Sequence, residues 1–586
     1  MSDTALKISF SSHTIDTCFQ NHYVVPDYQR EYVWSETEVG QLLDDLEDAF
    51  QSDAKKEYFL GSIVTFKTDE YFELIDGQQR LTTFFLILCA LKTIYENNHQ
   101  SSTVVDNLIF SPVMNDEGDT VPSYHLRLQY EEASNYLHLI HTGQAKPQNA
   151  TNSGVRLFSA FESIVSFITE RMPEFAMQKK FAAYLLKKTR FIQIETYDIS
   201  DALKIFETIN QRGVGLNPMD LLKNMIFRQV GRDKFKELNL KWKEIVSALD
   251  SIGEKPLRFL RYFIMSNYDV SGEKDSILRE DQIYSWLSNN NKQCKYEEKP
   301  FEFVSLMKEN VDRYIAYLRP TGEGDGDNYL RDIALLAGQS YKLHLVLLLS
   351  ASQMEKAALI RLKKMVESIV YYTVINRITT NITERTFAEW CPIIRKIKSC
   401  AELDEFVSAC VVPKISQWKE NNERMFLGLG LRSMQQYRVK FILAKITAYV
   451  DALRMGKTEA ESLANYMDSH VEIEHIMPQT CVDKSIYGMD DAQFVLYLNR
   501  LGNLTLLENS INKSIHNAEY STKAEEYKKS KFYLTSSISA LVDQGTNTAI
   551  TRTNKSMSSW TKWDVTSIEE RQKMMYRLSE EIWAID

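Results

Sequence analysis

The chain has 586 residues, 44% of them hydrophobic and 25% charged, with a formal net charge of −10. That length exceeds what one hydrophobic core supports and implies several domains. The acidic balance argues against a general nucleic-acid coating protein, whose surface is basic. No run of about 18 apolar residues reads as a membrane span, and no basic segment followed by a long apolar stretch reads as a secretory signal. The seven scattered cysteines lack zinc-ligand spacing and suit a reducing cytoplasm. A local basic groove and a bound metal can still bring a phosphate polymer to an acidic protein.

From the N-terminus, strands and helices alternate to about residue 98. Residues 28–34 lead into a helix capped by Ser35, with Glu38 completing the capping box. Val39, Leu42, Leu43, Leu46 and Phe50 then recur at helical spacing. Residues 58–66 and 71–75 read as strands, Asp76 and Gly77 as a turn, and a buried helix follows from about Leu81. Residues 107–124, rich in Asp, Asn, Ser and Pro, predict an insertion or mobile loop. Residues 150–190 read as helical, 190–197 as strand and 201–209 as helix. Asn217 caps the next helix, with Pro218 in its first turn. From about 230 to 460 the pattern is mostly helical, broken by the surface loop 321–328, whose acidic residues lack the full calcium-loop pattern. Residues 471–535 form a compact segment. Residues 568–583 predict an amphipathic helix whose Ile568, Met575, Leu578 and Ile582 share a core or interdomain face.

Within 471–535, VEIEHIMPQT places Glu474 beside His475. Val471 and Ile473 alternate with Glu472 and Glu474 as in a short strand, which Pro478 ends. Residues 504–507 predict a second strand, and Asn512 lies near the start of a helix, four residues before His516. Phosphodiester hydrolysis needs hard oxygen ligands for a divalent metal, a neutral imidazole to take a proton from water, and a group that fixes the imidazole tautomer. Glu474 and Asn512 supply the oxygens, His475 is the base, and Asn503 orients the histidine through its amide or backbone. His516 is a competing ligand, whereas His470 reads as structural. Lys523, Lys528, Lys529 and Lys531 follow the site and are candidates for contacts to a nucleic-acid backbone.

Near the N-terminus, LIDGQQRLTT sits at a strand–turn–helix junction. Gly77 permits a tight turn, and the free N–H groups at the helix start, with Gln78, Gln79 and Arg80, favour phosphate. Asp76 holds a metal–phosphate complex or polarises a water on this reading, with Thr82 and Thr83 adding hydroxyls. There is no Walker A loop. VPDYQREYVW adds Gln29, suited to a base edge or sugar, and Arg30, suited to phosphate.

The C-terminal pieces IEHIMPQ, LGNLTLL, INKSIHNAEY and KAEEYKKSKFYLT resemble the HNH, or His–metal finger, nucleases. They are most similar to the branch at the C-terminus of GmrSD-type modification-dependent restriction enzymes. VPDYQREYVW, FLGSIV, LIDGQQRLTT and IFETINQRGVGLNPMDLLKN resemble the N-terminal domain of the same proteins. The resemblance implies a multidomain α+β chain. Residues 1–230 would be a ParB/sulfiredoxin-like α/β nucleotide-binding and sensing domain with an insertion near 100–150. Residues 231–440 would form a largely helical coupling region, and 441–586 a ββα-metal HNH nuclease domain in a helical surround. Glu474 then replaces the aspartate that often precedes the catalytic histidine, and Asn512 is the second metal ligand.

The same resemblance implies nucleoside triphosphate binding or hydrolysis by Asp76, Gly77, Gln78, Gln79 and Arg80, with Arg30 assisting. Asn210, Arg212 and Gly213 lie in a turn near that pocket, with Asp220 and Lys223 adjacent. GTP, ATP, UTP and CTP stay equally open. The implied activity is a nucleotide-regulated DNA endonuclease of antiphage defence using Mg²⁺ or Mn²⁺. It would act on double-stranded DNA, with modified phage DNA a candidate target, as a homo-oligomer or with other defence proteins, and with no membrane partner. Two alternatives stay open: an RNA-cleaving or nonspecific toxin nuclease, and a nucleotide-dependent DNA-binding regulator without nuclease activity.

Overall fold

The computed structural model describes residues 8–26, 29, 31–114, 118–130, 133–197, 205, 218–227, 229–231, 234–270, 278–320, 325–459, 462–481, 483–542 and 545–585. The chain divides into two compact units, Met1–Ser247 with Trp286–Leu306, and Ala248–Ser285 with Met307–Asp586. The helical residues from 307 onward therefore share one unit with the 471–535 segment. No helix among the described residues is long and apolar enough to cross a membrane.

The first unit is mixed α/β. Its strands are β1 (Ile8–Thr14), β2 (Tyr23–Val25), β3 (Tyr58–Lys67), β4 (Phe72–Asp76), β5 (Phe110–Met114), β6 (Thr120–Tyr124), β7 (Leu126–Leu128) and β8 (Thr189–Thr196). Six of them make one sheet in the order β1-β8-β3-β4-β2-β7. Its longer helices include α1 (Glu36–Ser52), α2 (Gln78–Asn97), α3 (Asn152–Arg171) and α4 (Phe175–Lys188). The capping box forms as expected: Ser35 accepts from Thr37 N, and Glu38 accepts from Ser35 N at 2.7 Å. Val39, Leu42, Leu43 and Leu46 are buried, and Phe50 meets Phe181 and Tyr184 at 5.4 and 5.5 Å between ring centroids. Helix α2 is apolar on nearly every side, the pattern of a helix enclosed by its neighbours.

Two features differ from the sequence expectation. Residues 107–124 are not a structureless loop: after a short helix, β5 and β6 form a separate two-stranded hairpin with Pro112 opposite Pro122. Neither proline can donate a ladder hydrogen bond, which a hairpin tolerates on its outer edges. The Tyr124 hydroxyl ties the hairpin to His138 Nδ1 at 2.8 Å and His141 Nδ1 at 3.1 Å. Helix α2 starts at Gln78 rather than near Leu81, because Gly77 takes a left-handed conformation (φ +86°) at its N-cap and turns the chain straight from strand into helix. The helix expected at 201–209, and Asn217 with it, lies outside the described residues except for Ile205.

In the second unit the site-bearing elements are β9 (Val471–His475) and β10 (Leu504–Glu508). They are embedded in helices that include α5 (Lys356–Ile375), α6 (Gln436–Arg454), α7 (Asn509–Ile515), α8 (Tyr520–Tyr527) and α9 (Val565–Ile582). Helix α6 packs on β10 and on α9. The end of α9 is anchored by Trp583, whose indole stacks on Tyr371 at 3.8 Å and donates to Glu367 at 3.0 Å.

Gly77 supplies a test of the strand-to-helix junction. A Cβ there would lie 2.5 Å from Ile63 Cγ2 on β3 at a backbone angle that disfavours side chains. Gly77→Ala is expected to destabilise the first unit by about 1–3 kcal/mol, read as a lower thermal midpoint by circular dichroism. Gly40→Ala, where a Cβ meets nothing within 4 Å in mid-helix, is expected to leave the midpoint unchanged or raise it.

Candidate active site

β9 and β10 pair antiparallel, with His475 opposite Leu504 and Glu474 opposite Thr505. β10 runs directly into α7, giving the order strand, strand, helix. Asn503 precedes β10 and is fully buried. Its backbone oxygen accepts from Ile476 N at 2.9 Å. Its Oδ1 accepts from Met477 N at 2.8 Å and Trp563 Nε1 at 2.9 Å, and its Nδ2 donates to Leu498 O at 2.8 Å. Asn503 thus holds the two residues that follow His475. It acts on the backbone, and its amide makes no hydrogen bond to the imidazole.

The ring partners are Gln479 and Asn499. Gln479 Nε2 lies 3.0 Å from His475 Nδ1, and Asn499 Oδ1 lies 3.3 Å from Nε2. An amide nitrogen donates and an amide oxygen accepts, so this network places the proton of a neutral imidazole on Nε2 and leaves the lone pair on Nδ1. Burial holds the His475 pKa below its ordinary value, against the Asn499 hydrogen bond and the Glu474 charge, which raise it; nearby Lys523 lowers it further. The imidazole is therefore in its base form at neutral pH.

Glu474 is buried, and its Oε1 accepts from Lys523 Nζ at 2.6 Å and from the Tyr527 hydroxyl at 3.0 Å. Burial and this carboxylate push the Tyr527 hydroxyl well above its ordinary pKa, so it stays a donor. Asn512, on α7, donates from Nδ2 to Glu472 Oε2 at 2.7 Å. Glu472 and Glu474 share a face of β9 because strand side chains alternate. This face offers carboxylate and amide oxygens, the hard donors that Mg²⁺ and Mn²⁺ take. Among the described residues no three His, Cys, Asp or Glu converge on one point. A divalent ion held here would take few protein oxygens and be completed by water and phosphate, as Mg²⁺ commonly is.

Several expected contacts need correction. Lys523 is not at the surface: it is 2% exposed, with Nζ committed to Glu474 and, at 2.7 Å, to His475 O. It neutralises a buried carboxylate and cannot reach a nucleic-acid backbone from there. Lys528 and Lys529 are exposed and pair with Glu525 and Glu526. His516 is exposed just after α7 at φ +44°, and His470 bonds Asp468 at 2.7 Å. Gln29 is buried with Nε2 on Ile75 O at 3.2 Å, so it is not displayed to a base edge.

In the DGQQR junction, Gln79 accepts from Val33 N at 2.8 Å and donates to Glu31 O at 3.0 Å. Arg80 donates to Leu60 O at 2.6 Å and Ser62 O at 2.8 Å. Both clamp the chain where phosphate ligation was expected. Asp76 ends β4, opposite Val64. Gln78 is buried with Oε1 lacking a hydrogen-bond partner. Thr83 bonds the Tyr32 hydroxyl at 2.8 Å, and Thr82 is buried. Arg30, Asn210, Arg212 and Gly213 lie outside the described residues, as does the Asp220 side chain; Lys223 is buried over the Phe227 ring.

Sequence reasoning missed Asn499, Gln479, Glu472 and the buttress from α9. Glu472, two residues before Glu474 in the alternating strand pattern, was the one with a local signal. From α9, Arg571 donates to Gly502 O at 3.0 Å and Leu504 O at 2.7 Å, and Gln572 accepts from Gly502 N at 3.2 Å. A side chain at Gly502 would collide with Ile568 O, so the glycine is what admits α9 to the turn.

Comparison with known proteins gives two matches. A family model described as the N-terminal domain of GmrSD restriction endonuclease matches residues 10–227, and one described as the C-terminal domain of GmrSD restriction endonucleases matches residues 417–578. No curated protein matches the chain.

The buried pair can be tested directly. Lys523→Met leaves Glu474 buried without its counter-charge, which typically costs about 3–5 kcal/mol. The variant is expected to show a large drop in thermal midpoint, mostly recovered when Glu474→Gln is added. Lys528→Met is expected to stay within about 0.5 kcal/mol. An unchanged midpoint in Lys523→Met would contradict the pairing.

Proposed function

The chain belongs to the GmrSD restriction endonuclease family, and from that premise we propose that it is a divalent-metal-dependent, nucleotide-regulated DNA endonuclease that cleaves foreign, modified DNA in antiphage defence. We read the six-stranded-sheet unit as ParB/sulfiredoxin-like and β9–β10–α7 as the ββα-metal finger of an HNH nuclease. The observation that carries the reading is the state of His475: a neutral imidazole, braced on Asn499, at the end of a strand whose neighbouring face carries carboxylate and amide oxygens.

In the proposed reaction Gln479 yields its place at Nδ1 to a water. The water's proton passes to Nδ1 as its oxygen attacks phosphorus. The bond from phosphorus to O3′ breaks, the 3′-oxygen takes a proton from solvent, and the products are a 5′-phosphate and a 3′-hydroxyl. Glu474, through its second oxygen, and Asn512 would hold Mg²⁺ or Mn²⁺, which supplies positive charge to the phosphate and the departing oxygen. Asn503 keeps the loop after His475 fixed during this transfer. The exposed Lys528 and Lys529 are left as backbone contacts.

For the nucleotide, Asp76, Gln78 and the N-terminus of α2 are the candidates, with Arg30 assisting. The unpartnered Gln78 Oε1 is an acceptor that a ligand hydroxyl or amine would satisfy. Arg80 and Gln79 serve this site by shaping it.

The test is cleavage of supercoiled plasmid and modified phage DNA with Mg²⁺ or Mn²⁺ and each nucleoside triphosphate. His475→Ala is expected to lose about 10²–10⁴-fold in rate. Asp76→Ala is expected to retain basal nicking and lose its response to nucleotide. Cleavage of RNA in place of DNA, or nucleotide turnover without any cleavage, would move the function to a toxin nuclease or to a regulator.

The pH profile follows from the geometry. At saturating metal the acidic limb of the cleavage rate is expected to have its midpoint below 6.5, because burial lowers the His475 pKa. Activity is present above that midpoint and is lost as the imidazole protonates below it. Asn499→Ala removes a hydrogen bond that raises this pKa, so its limb is expected at still lower pH. A limb at or above the ordinary histidine value in both proteins would count against His475 as the base.

A further inference from the structure

We propose that Glu472 is a positioning residue for the metal site, fixing the Asn512 carboxamide so that its oxygen, and not its nitrogen, is presented to a divalent cation. This rests on the reading of Asn512 as a ligand given above.

An asparagine amide is nearly symmetric in shape but not in chemistry. The oxygen binds a hard cation, whereas the N–H₂ group repels it. A free amide samples both orientations, so a ligating asparagine gains from a neighbour that selects one. Glu472 is such a neighbour. It lies two residues before Glu474 on the same face of β9, and its Oε2 is 2.7 Å from Asn512 Nδ2. A carboxylate only accepts, so the atom facing it must be nitrogen, and the oxygen is turned the other way.

Asn509, one helical turn earlier on α7, reinforces the arrangement. Its amide suits its surroundings when its nitrogen also faces Glu472, 3.0 Å from Oε1 and 3.3 Å from Oε2. Both carboxylate oxygens are then occupied by amide donors, which argues that Glu472 acts through Asn512 and does not itself ligate. The two bonds join the first turn of α7 to the middle of β9. Charge-assisted hydrogen bonds of this kind are stronger than neutral ones, and partners that orient metal ligands contribute strongly to affinity. Glu472 is exposed, so replacing it opens no cavity and leaves no buried charge.

The experiment is a titration of the full chain with Mn²⁺ alone, followed by electron paramagnetic resonance, with circular dichroism confirming the fold of each variant. Glu472→Ala is expected to weaken Mn²⁺ binding about tenfold or more, while Glu472→Gln, which keeps an acceptor oxygen, retains most of the affinity. In an Asn512→Asp background both terminal atoms are oxygens, so orientation no longer matters, and adding Glu472→Ala is expected to cause no weakening. Equal affinity of the parent and Glu472→Ala overturns the proposal, as does equal weakening in both backgrounds, which would make Glu472 a ligand. If the parent binds no Mn²⁺, or Asn512→Ala binds as the parent does, the ligand assignment itself fails, and the proposal with it.

Discussion

The side chain of Asn503 is the constraint around which the C-terminal unit is organised. It sits in a buried turn and makes three hydrogen bonds, to Met477 N, Trp563 Nε1 and Leu498 O. Each buried polar atom left unpaired would cost about 1–3 kcal/mol, so the turn, the loop after His475 and the approach of Trp563 are specified together. α9 completes the arrangement. Its Arg571 is fully buried and donates to the carbonyls on either side of Asn503, and burial pushes the guanidinium pKa down to about 10. It remains charged at neutral pH. One guanidinium nitrogen grips both carbonyls, while Nε and Nη2 have no hydrogen-bond partner among the described residues.

Electrostatic roles divide along β9. Glu474 is drawn inward and matched to Lys523, while Glu472, two residues earlier on the same face, remains at the surface with the amides of α7. His475 points to the other face, where burial favours its neutral form. One short strand therefore carries a buried imidazole, a neutralised carboxylate and an exposed carboxylate within four positions. The environment of each is set by what packs there and not by its own chemistry.

In the N-terminal unit the polar motif residues serve the fold first. Gln79 holds the segment from Glu31 to Val33, and Arg80 holds the carbonyls on both sides of Gly61 on β3. Both are strong hydrogen-bonding groups in a nearly closed environment, where an unmet bond is expensive. Beside them, the buried Gln78 Oε1 is left without a hydrogen-bond partner. A residue type suited to phosphate is equally suited to bracing a backbone, and only the neighbours distinguish the two.

Local pattern made much of this protein legible. The Ser35–Glu38 box, the leucine stripe of α1, the strands β3, β4, β8, β9 and β10, and the junction at Gly77 all rest on interactions between residues close in sequence or on strand and helix periodicity. The adjacency of Glu474 and His475 and the order of strand, turn asparagine and helix were visible for the same reason. Other features depended on residues far apart. Lys523 reads as a surface cation in its own helix, and becomes a buried counter-ion because α8 packs across Glu474, 49 positions away. Asn499 and Gln479 gain meaning when the turn closes on His475. The amphipathic stripe of α9 announced a buried face, and the tertiary fold decided that the face would be the Gly502–Leu504 turn. Sequence by itself determined the cap, the helical stripe, the strand alternation and the Glu474–His475 adjacency, because those features are short-range. The tertiary structure decided which polar groups were consumed in holding the chain together and which remained available, because hydrogen-bond satisfaction and burial are settled only when distant segments meet.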